Sequence, residues 1–429
     1  MGVLLNNSNI AVETYEFKNR MKKTIPNMHY LTHSIHAYTA KLIPHIPHYF
    51  MEKHTQKDDV ILDPFCGSGT TLLEARLLAR NAIGVDINPL ATLISEVKAT
   101  PLDIEELSLA IHLVKDGVKN GNGRITVKFP NIDYWFCKEA QDELSKIRFS
   151  VENLKGRFNK GIHKFLLVCL SSIIRKSSYA DPRIAKTYKS KTVIEKVKIG
   201  WVPTPIPYFE HALDRNFERI NLLSEYLKLN NNYARVFQGD ARETLAILEQ
   251  NGIEKVDFII TSPPYINAQD YFRSYKLELW WLDLATPEEV RYLNRRAIGT
   301  ENISRSNYNS IPKSENQLLN TILNKIWKIN KKKSYIVYNY FENMREIFKK
   351  SHNVLKIGGY FCLITGNNTI CKVQIPTYKI LTQIIENKGF KLVEIGRDEI
   401  RNRSLPPDRN HQGGIIKEEW ITIFRKSQG

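Results

Sequence analysis

The chain has 429 residues, enough for a large core and for about two or three domains' worth of material. Hydrophobic residues make up 42%, an ordinary globular share that excludes disorder as the starting reading. Lysine and arginine number 62 against 45 acids, and the resulting net charge of +17 favours polyanionic partners through phosphate contacts and counterion release. The five cysteines, at 66, 137, 169, 362 and 371, form no Cys-x-x-Cys pair and no Cys/His cluster with zinc spacing. A reducing compartment and no metal site are therefore expected. Residues 1–20 lack a basic region followed by a long apolar stretch, and no apolar run reaches membrane-spanning length. The expectation is a soluble, cytoplasmic protein with no membrane partner.

In chain order, the first short β-branched run is Val60-Ile61-Leu62, followed by a helical pattern over 71–78 and a second run, Ala82-Ile83-Gly84-Val85. Residues 101–232 break this rhythm. They carry a turn-like Asn120-Gly121-Asn122-Gly123, helical stretches over 141–149 and 165–174, and a basic stretch with Lys186, Lys189, Lys191, Lys196 and Lys198. The alternation resumes with Ala234-Arg235-Val236-Phe237, a helical pattern over 242–248, and Val256-Asp257-Phe258-Ile259-Ile260. Residues 283–340 form a second departure, rich in Asn, Ser, Arg and Lys in its first 50 or so positions, with Arg295-Arg296 and Lys331-Lys332-Lys333. A helical pattern over 341–355, the run Tyr360-Phe361-Cys362-Leu363-Ile364 and a helical pattern over 377–387 follow. Two last runs, Lys391 to Ile395 and Trp420 to Phe424, have no helix between them, so the final strand is expected to return antiparallel.

Near-continuous apolar strands alternating with helices predict an α/β fold: a Rossmann-like, doubly wound, mostly parallel sheet of seven strands, plus a largely helical insertion. The expected units are 1–100 and 233–282 as two halves of one core, with 341–429 completing its sheet. The intervening 101–232 and 283–340 are candidate target-binding insertions.

The loops after parallel strands emerge at one edge, so Asp63, Asp86, Asp240, Ser262 and Gly366 are expected to share a rim. Asp63 ends the first strand and Thr70-Thr71 opens a helix. Gly67 and Gly69 between them allow a tight turn and a close backbone approach to a ligand, beside Phe65 and Ser68. A glycine turn alone is more often a plain turn, and this one lacks the third glycine of Gly-x-Gly-x-x-Gly and the lysine of a P-loop. Asp86, 23 residues after Asp63, stands where a carboxylate accepts two ribose hydroxyls. Asp240 ends the third strand, where it could accept an adenine amino group or cap the helix that follows; both could hold at once.

Directly after the strand 256–260 comes Thr261-Ser262-Pro263-Pro264-Tyr265. An exocyclic amine on a base is conjugated with its ring and nucleophilically weak. A serine hydroxyl and the Pro263 carbonyl, in a chain stiffened by Pro264, can accept its N–H hydrogens and draw the lone pair out of plane. Tyr265 offers a flat face for a flipped base. The plainer alternative is a rigid partner-binding loop, which its position at the sheet's ligand edge disfavours. Downstream, Asp270 to Arg273 and Lys276 are expected in a helix capping the pocket, with Trp280-Trp281 in the core. The loop 397–417 is expected on the same rim, and Arg401, Arg403 and Arg409 in it are expected to meet phosphate or base edges.

At this point the chain resembles the amino-type DNA methyltransferases, the kind that accompanies restriction systems. Asp63-Pro64-Phe65-Cys66-Gly67-Ser68-Gly69-Thr70-Thr71 resembles that family's cofactor motif and Ser262-Pro263-Pro264-Tyr265 its catalytic motif. His36-Ala37-Tyr38-Thr39-Ala40-Lys41 is similar to the segment these enzymes place near the methionine end of the cofactor. The resemblance covers roughly 30–100, 233–282 and 355–426. It implies a class I methyltransferase fold, S-adenosylmethionine as cofactor, double-stranded DNA as substrate, and a possible cognate restriction endonuclease, with nucleoid association only through DNA. It also implies base flipping and direct methyl transfer without a covalent intermediate. A leading serine resembles the cytosine-N4 enzymes, whereas aspartate usually leads in adenine-N6 enzymes. Rival readings are an adenine-N6 enzyme, an RNA base methyltransferase, and a DNA-binding regulator that keeps the cofactor fold without catalysis. The long insertion before Asp240 departs from the simplest family layouts.

Overall fold

The computed structural model describes residues 10–25, 27–184, 186–266, 270–400 and 416–427. All seven expected strands are present. In chain order they are β2 (Val60–Asp63), β3 (Asn81–Asp86), β4 (Ala234–Gln238), β5 (Val256–Thr261), β6 (Leu355–Gly366), β9 (Phe390–Glu399) and β10 (Glu418–Lys426). An eighth, β1 (Val12–Tyr15), extends the sheet, and a separate hairpin joins β7 (Asn368–Ile370) to β8 (Val373–Ile375). The strand order is β1-β9-β10-β6-β5-β2-β3-β4.

Strands β2 to β6 pair parallel, and β10 pairs antiparallel with both β6 and β9, as its helix-free approach predicts. Burial on both faces explains the apolar runs: in β5 every residue but Asp257 is buried. The order reverses beside β2 and β5, so their carboxyl ends flank the crevice in which such sheets bind ligands.

The expected helices are present too, including Thr70–Leu77, Thr244–Gln250 and Thr377–Glu386. Lys331–Val354 is one continuous helix, capped by the Asn330 side chain accepting from the Lys333 N–H. The insertion 101–232 is largely helical: Ile104–Asn120, Lys138–Glu152, Lys160–Ile174 and Pro205–Tyr226 build a core of their own. That core is continuous with helices Pro89–Ala99 and Tyr271–Trp281. Trp281 is buried in it, whereas Trp280 is only partly covered. Two anchors fix helix Tyr271–Trp281 to the insertion. Arg148 donates to the Trp281 carbonyl at 2.6 Å, and Arg175 donates to that of Ser274.

Candidate active site

The carboxyl ends of β2 to β5 open into one cavity of about 310 Å³, within the size range of small-molecule sites. The glycine turn forms its floor. Asp63 accepts from the Phe65 N–H (3.0 Å), the Thr71 hydroxyl (2.7 Å) and the Thr261 hydroxyl (2.7 Å), so one buried carboxylate ties the turn, its helix and the end of β5 together. Burial pushes its pKa up to about 6 despite those three donors.

Gly67 and Gly69 both have positive φ, at 51° and 79°. They do different jobs. A Cβ on Gly67 would come no nearer than 3.9 Å to Tyr38, and Gly67 lies on the cavity wall with Phe65, Ser68 and Thr70. A Cβ on Gly69 would stand 2.4 Å from the Ser95 Oγ and 2.8 Å from its Cα, so this glycine serves close packing of two helices.

Beneath the turn lies a buried polar network. Glu74, fully buried on the same helix, meets His33 at 2.6 Å and His48 at 2.7 Å and accepts from Tyr30. These contacts fasten residues 30–48 to the core. Segment 38–42 consequently lines the cavity, whereas His36 is buried against Ser171 at 3.0 Å. The Tyr38 ring stacks on Tyr275, with centroids 4.7 Å apart, and more loosely on Tyr271 at 6.1 Å. A fully buried lysine, Lys98, donates to the Ser68 hydroxyl at 3.2 Å. Burial, followed by the charge of Lys41, holds its pKa well below the ordinary lysine value.

Asp86 ends β3 on the cavity wall. Its Oδ2 accepts from the Gly67 N–H and its Oδ1 from the Asn88 N–H, each at 2.9 Å, and burial pushes its pKa up to about 6. Asp240 ends the neighbouring β4 and also lines the cavity, but its carboxylate is heavily engaged. Oδ1 accepts from the Arg242 N–H and Nε, and Oδ2 from Arg242 and from two nitrogens of Arg296. Burial would raise its pKa, but the bonds and charge of Arg242, with help from Arg296, hold it below the usual carboxylate range.

Ser262 follows β5 on the cavity wall with Pro264 and Tyr265, while Pro263 is buried. The Tyr265 hydroxyl donates to Glu419 on β10 at 3.2 Å. Asp270 caps helix Tyr271–Trp281 by accepting from the Arg273 N–H, and residues 270–273 line the mouth. The opposite wall is segment 296–302 of the second insertion, held by Arg296 on Asp240 and Glu243 and by Asn294 on Asp270.

The fold thus gathers Asp63, Phe65, Gly67, Ser68, Thr70, Asp86, Asp240, Ser262, Pro264 and Tyr265 around one space. Arg401, Arg403 and Arg409 lie outside the described residues. Sequence reasoning did not single out Lys98, Arg296 or Glu419. Lys98 sits in the last turn of helix Pro89–Ala99, an ordinary place for a lysine, Arg296 reads as one more surface cation, and Glu419 carries no local signal until the strand order is known. Among the described residues, no group of three or more His, Cys, Asp or Glu side chains could hold a metal ion, all five cysteines are free, and no helix is long and apolar enough to cross a membrane.

The family model described as DNA methylase matches residues 9–96, the stretch containing the glycine turn and Asp86. The chain is 26% identical over 417 residues to the Type II methyltransferase M.MvaI of Kocuria varians, covering 92% of this chain and 89% of that one. It is 27% identical over 415 residues to the Type II methyltransferase M.BsoBI of Geobacillus stearothermophilus, covering 86% and 80%. Among solved structures, the rRNA methyltransferase aviRa from Streptomyces viridochromogenes superposes with a TM-score of 0.34 at 9% identity, covering 92% of this chain and 89% of that one. With both motifs facing one cavity and relatives aligned along most of its length, the matches support a place for the chain among the amino-type DNA methyltransferases, which depend on S-adenosylmethionine.

Proposed function

We propose that this enzyme methylates the N4 amine of cytosine within a specific duplex DNA sequence, as the modification enzyme of a Type II restriction system with a cognate endonuclease. The observation that carries the reading is the shared cavity: Ser262 and Tyr265 face the same space as Gly67 and Asp86. The names of the aligned relatives support the restriction context.

S-adenosylmethionine, when bound, supplies an electrophilic methyl group. The residues present fit it. Gly67 leaves the turn open to a close backbone approach, and each Asp86 oxygen keeps acceptor capacity beyond its one backbone bond, enough for two ribose hydroxyls. Asp240 holds Arg242 and Arg296 in place, so it shapes the cofactor's wall through Arg296 as well as directly.

A base paired in the duplex cannot reach this cavity and must swing out of the stack. Ser262 Oγ and the Pro263 carbonyl then accept the amine hydrogens, which localises the nitrogen lone pair for in-line attack. Pro264 keeps that carbonyl fixed, and Tyr265 presents a ring face anchored by its hydroxyl. Serine at the head of the motif, a small neutral acceptor, supports cytosine over adenine. The test is incubation with labelled cofactor and mixed-sequence duplex DNA, followed by nucleoside mass spectrometry. Label in 4-methylcytosine is expected; label only in 6-methyladenine overturns the choice of base.

A further inference from the structure

We propose that this enzyme docks DNA on a cation–aromatic rim built by residues 132–135, 179–184 and 186–201 of the helical insertion together with helix Tyr271–Trp281. On this rim Lys186 and Lys189 hold backbone phosphates flanking the target base. The inference rests on the DNA methyltransferase reading above and names the face and the groups that reading leaves open.

The rim is continuous with the active-site cavity. Lys186 and Arg273 are exposed and also lie on the cavity wall. Three residues beyond Lys186, the Lys189 ammonium stands 4.2 Å from the centre of the Tyr134 ring and 4.6 Å from that of Tyr179. Three residues beyond Arg273, Lys276 stands 4.7 Å from Trp135 and 5.7 Å from Trp280. Tyr134 and Trp135 meet edge to face at 4.8 Å, so both lysines rest on one aromatic ridge.

The rim is a built surface. The Tyr179 N–H donates to the Trp135 carbonyl and the Asp181 N–H to that of Tyr188, each at 2.7 Å, closing a loop that carries Lys186. The Thr187 hydroxyl, at 3.1 Å, and Arg175 donate to the Ser274 carbonyl, fixing the loop to helix Tyr271–Trp281.

Free cations beside the cavity distinguish this face from the other insertion. A carboxylate cancels the charge of a cation it binds, whereas an aromatic face holds an ammonium and leaves its full charge for a third group. Among the described residues, Lys186, Lys189, Arg273 and Lys276 make no ion pair. In the second insertion, by contrast, the cation on the cavity wall, Arg296, is paired with Asp240 and Glu243, whereas Lys331 and Lys332, which make no ion pair among the described residues, do not line the cavity. Uncompensated cations are what a polyphosphate exchanges for its counterions. Because the target base must enter the cavity, phosphates beside it pass the residues that form both wall and rim. Tyr134 and Tyr188 remain about half exposed (52% and 50%), leaving apolar ring surface beside the cations.

The test is fluorescence anisotropy of a labelled mixed-sequence duplex across a salt series, since phosphate contacts register without knowledge of the recognition sequence. Lys186→Ala with Lys189→Ala is expected to weaken binding about tenfold or more at low salt. It is also expected to reduce the log–log salt slope by about one per lysine. Lys186→Arg with Lys189→Arg should retain both, and Lys331→Ala with Lys332→Ala should bind as the parent does. Calorimetry with S-adenosylmethionine should give parental affinity for Lys189→Ala and for the 331/332 pair, whose positions do not line the cavity. If the alanine pair loses cofactor affinity, Lys189→Ala alone, off the cavity wall, carries the test, with a slope reduced by about one. Unchanged affinity and slope in the first pair overturn the proposal, as does a loss confined to the 331/332 pair or one seen only with structured RNA. The docking assay needs no turnover, so failure of the methyltransferase reading shows separately, as a parent enzyme that places no methyl group on DNA.

Discussion

Asp86 and Asp240 end adjacent parallel strands, yet their carboxylates meet opposite surroundings. Asp240 is saturated by Arg242 and Arg296 and stays ionised. Asp86 has only two backbone donors, and burial raises its pKa to about 6. In the proposed complex, ribose hydroxyls donating to Asp86 favour its ionised form, so binding to the protonated protein must expel a proton. S-adenosylmethionine affinity is therefore expected to be level above about pH 6 and to fall by up to tenfold per pH unit below it, with proton release detectable by calorimetry in buffers of different ionisation heat. Asp63, whose pKa is also about 6, already spends its acceptors on Thr71, Thr261 and Phe65, so Asp86→Asn should abolish the dependence. A profile that stays level between about pH 5 and pH 7 in the parent would sink the assignment. The strand-end placement of both acids was legible, because each closes an apolar run. The arginine clamp on Asp240 was not: Arg296 arrives from 56 residues away, and nothing in its neighbourhood marks it.

Strands that carry a run of apolar residues announced themselves, whether largely buried as in β5 or only partly covered as in β4, and elements with one buried residue did not. Strands β2 to β6, β9 and β10 all showed as apolar runs, whereas β1 has a single buried side chain, Tyr15, too little for a pattern. Hairpin β7–β8 turns at Cys371-Lys372, both at positive φ (52° and 62°), where no Gly or Asn signals the turn. The glycine turn was visible, but its two glycines looked equivalent, and the neighbouring helix makes them unequal. Gly69→Ala meets both an unfavourable φ of 79° and the Ser95 backbone at 2.8 Å. Left-handed strain and overpacking together should lower stability by about 3 kcal/mol. Gly67→Ala meets only the strain of φ 51°, about 1 kcal/mol, but it puts a methyl group at the cavity wall. Denaturant unfolding should rank Gly69→Ala well below Gly67→Ala, while calorimetry should show the larger loss of cofactor affinity per unit of stability in Gly67→Ala. Equal stability losses would mean that the Ser95 contact relaxes freely and the packing argument fails.

At the scale of the whole molecule, the last strand in the sequence governs the motif at the middle. Strand β10 inserts between β6 and β9 with Glu419 opposite Gly366, and Glu419 accepts from the hydroxyl of Tyr265, 154 residues earlier. Gly366 leaves room beside that contact, since a Cβ there would stand 2.6 Å from the Ile416 side chain. The antiparallel return of β10 could be expected from the missing helix before it, but a partner across the sheet becomes nameable only once strand order is known. Burial pushes the Glu419 pKa up to about 7, although the Tyr265 hydrogen bond opposes the rise. The carboxylate is the stronger acceptor, so turnover should decline modestly as pH falls through about 7 and the tyrosine anchor weakens. Glu419→Ala removes the acceptor and should lower kcat by about tenfold, leaving S-adenosylmethionine and DNA affinities at parental values. Glu419→Gln keeps an acceptor oxygen that does not titrate, so it should restore most of kcat and lose the inflection near pH 7. Equal losses in the alanine and glutamine variants, or an inflection that survives in Glu419→Gln, would show that Glu419 merely fills space and that Tyr265 is aligned by the rigidity of Pro263-Pro264 alone.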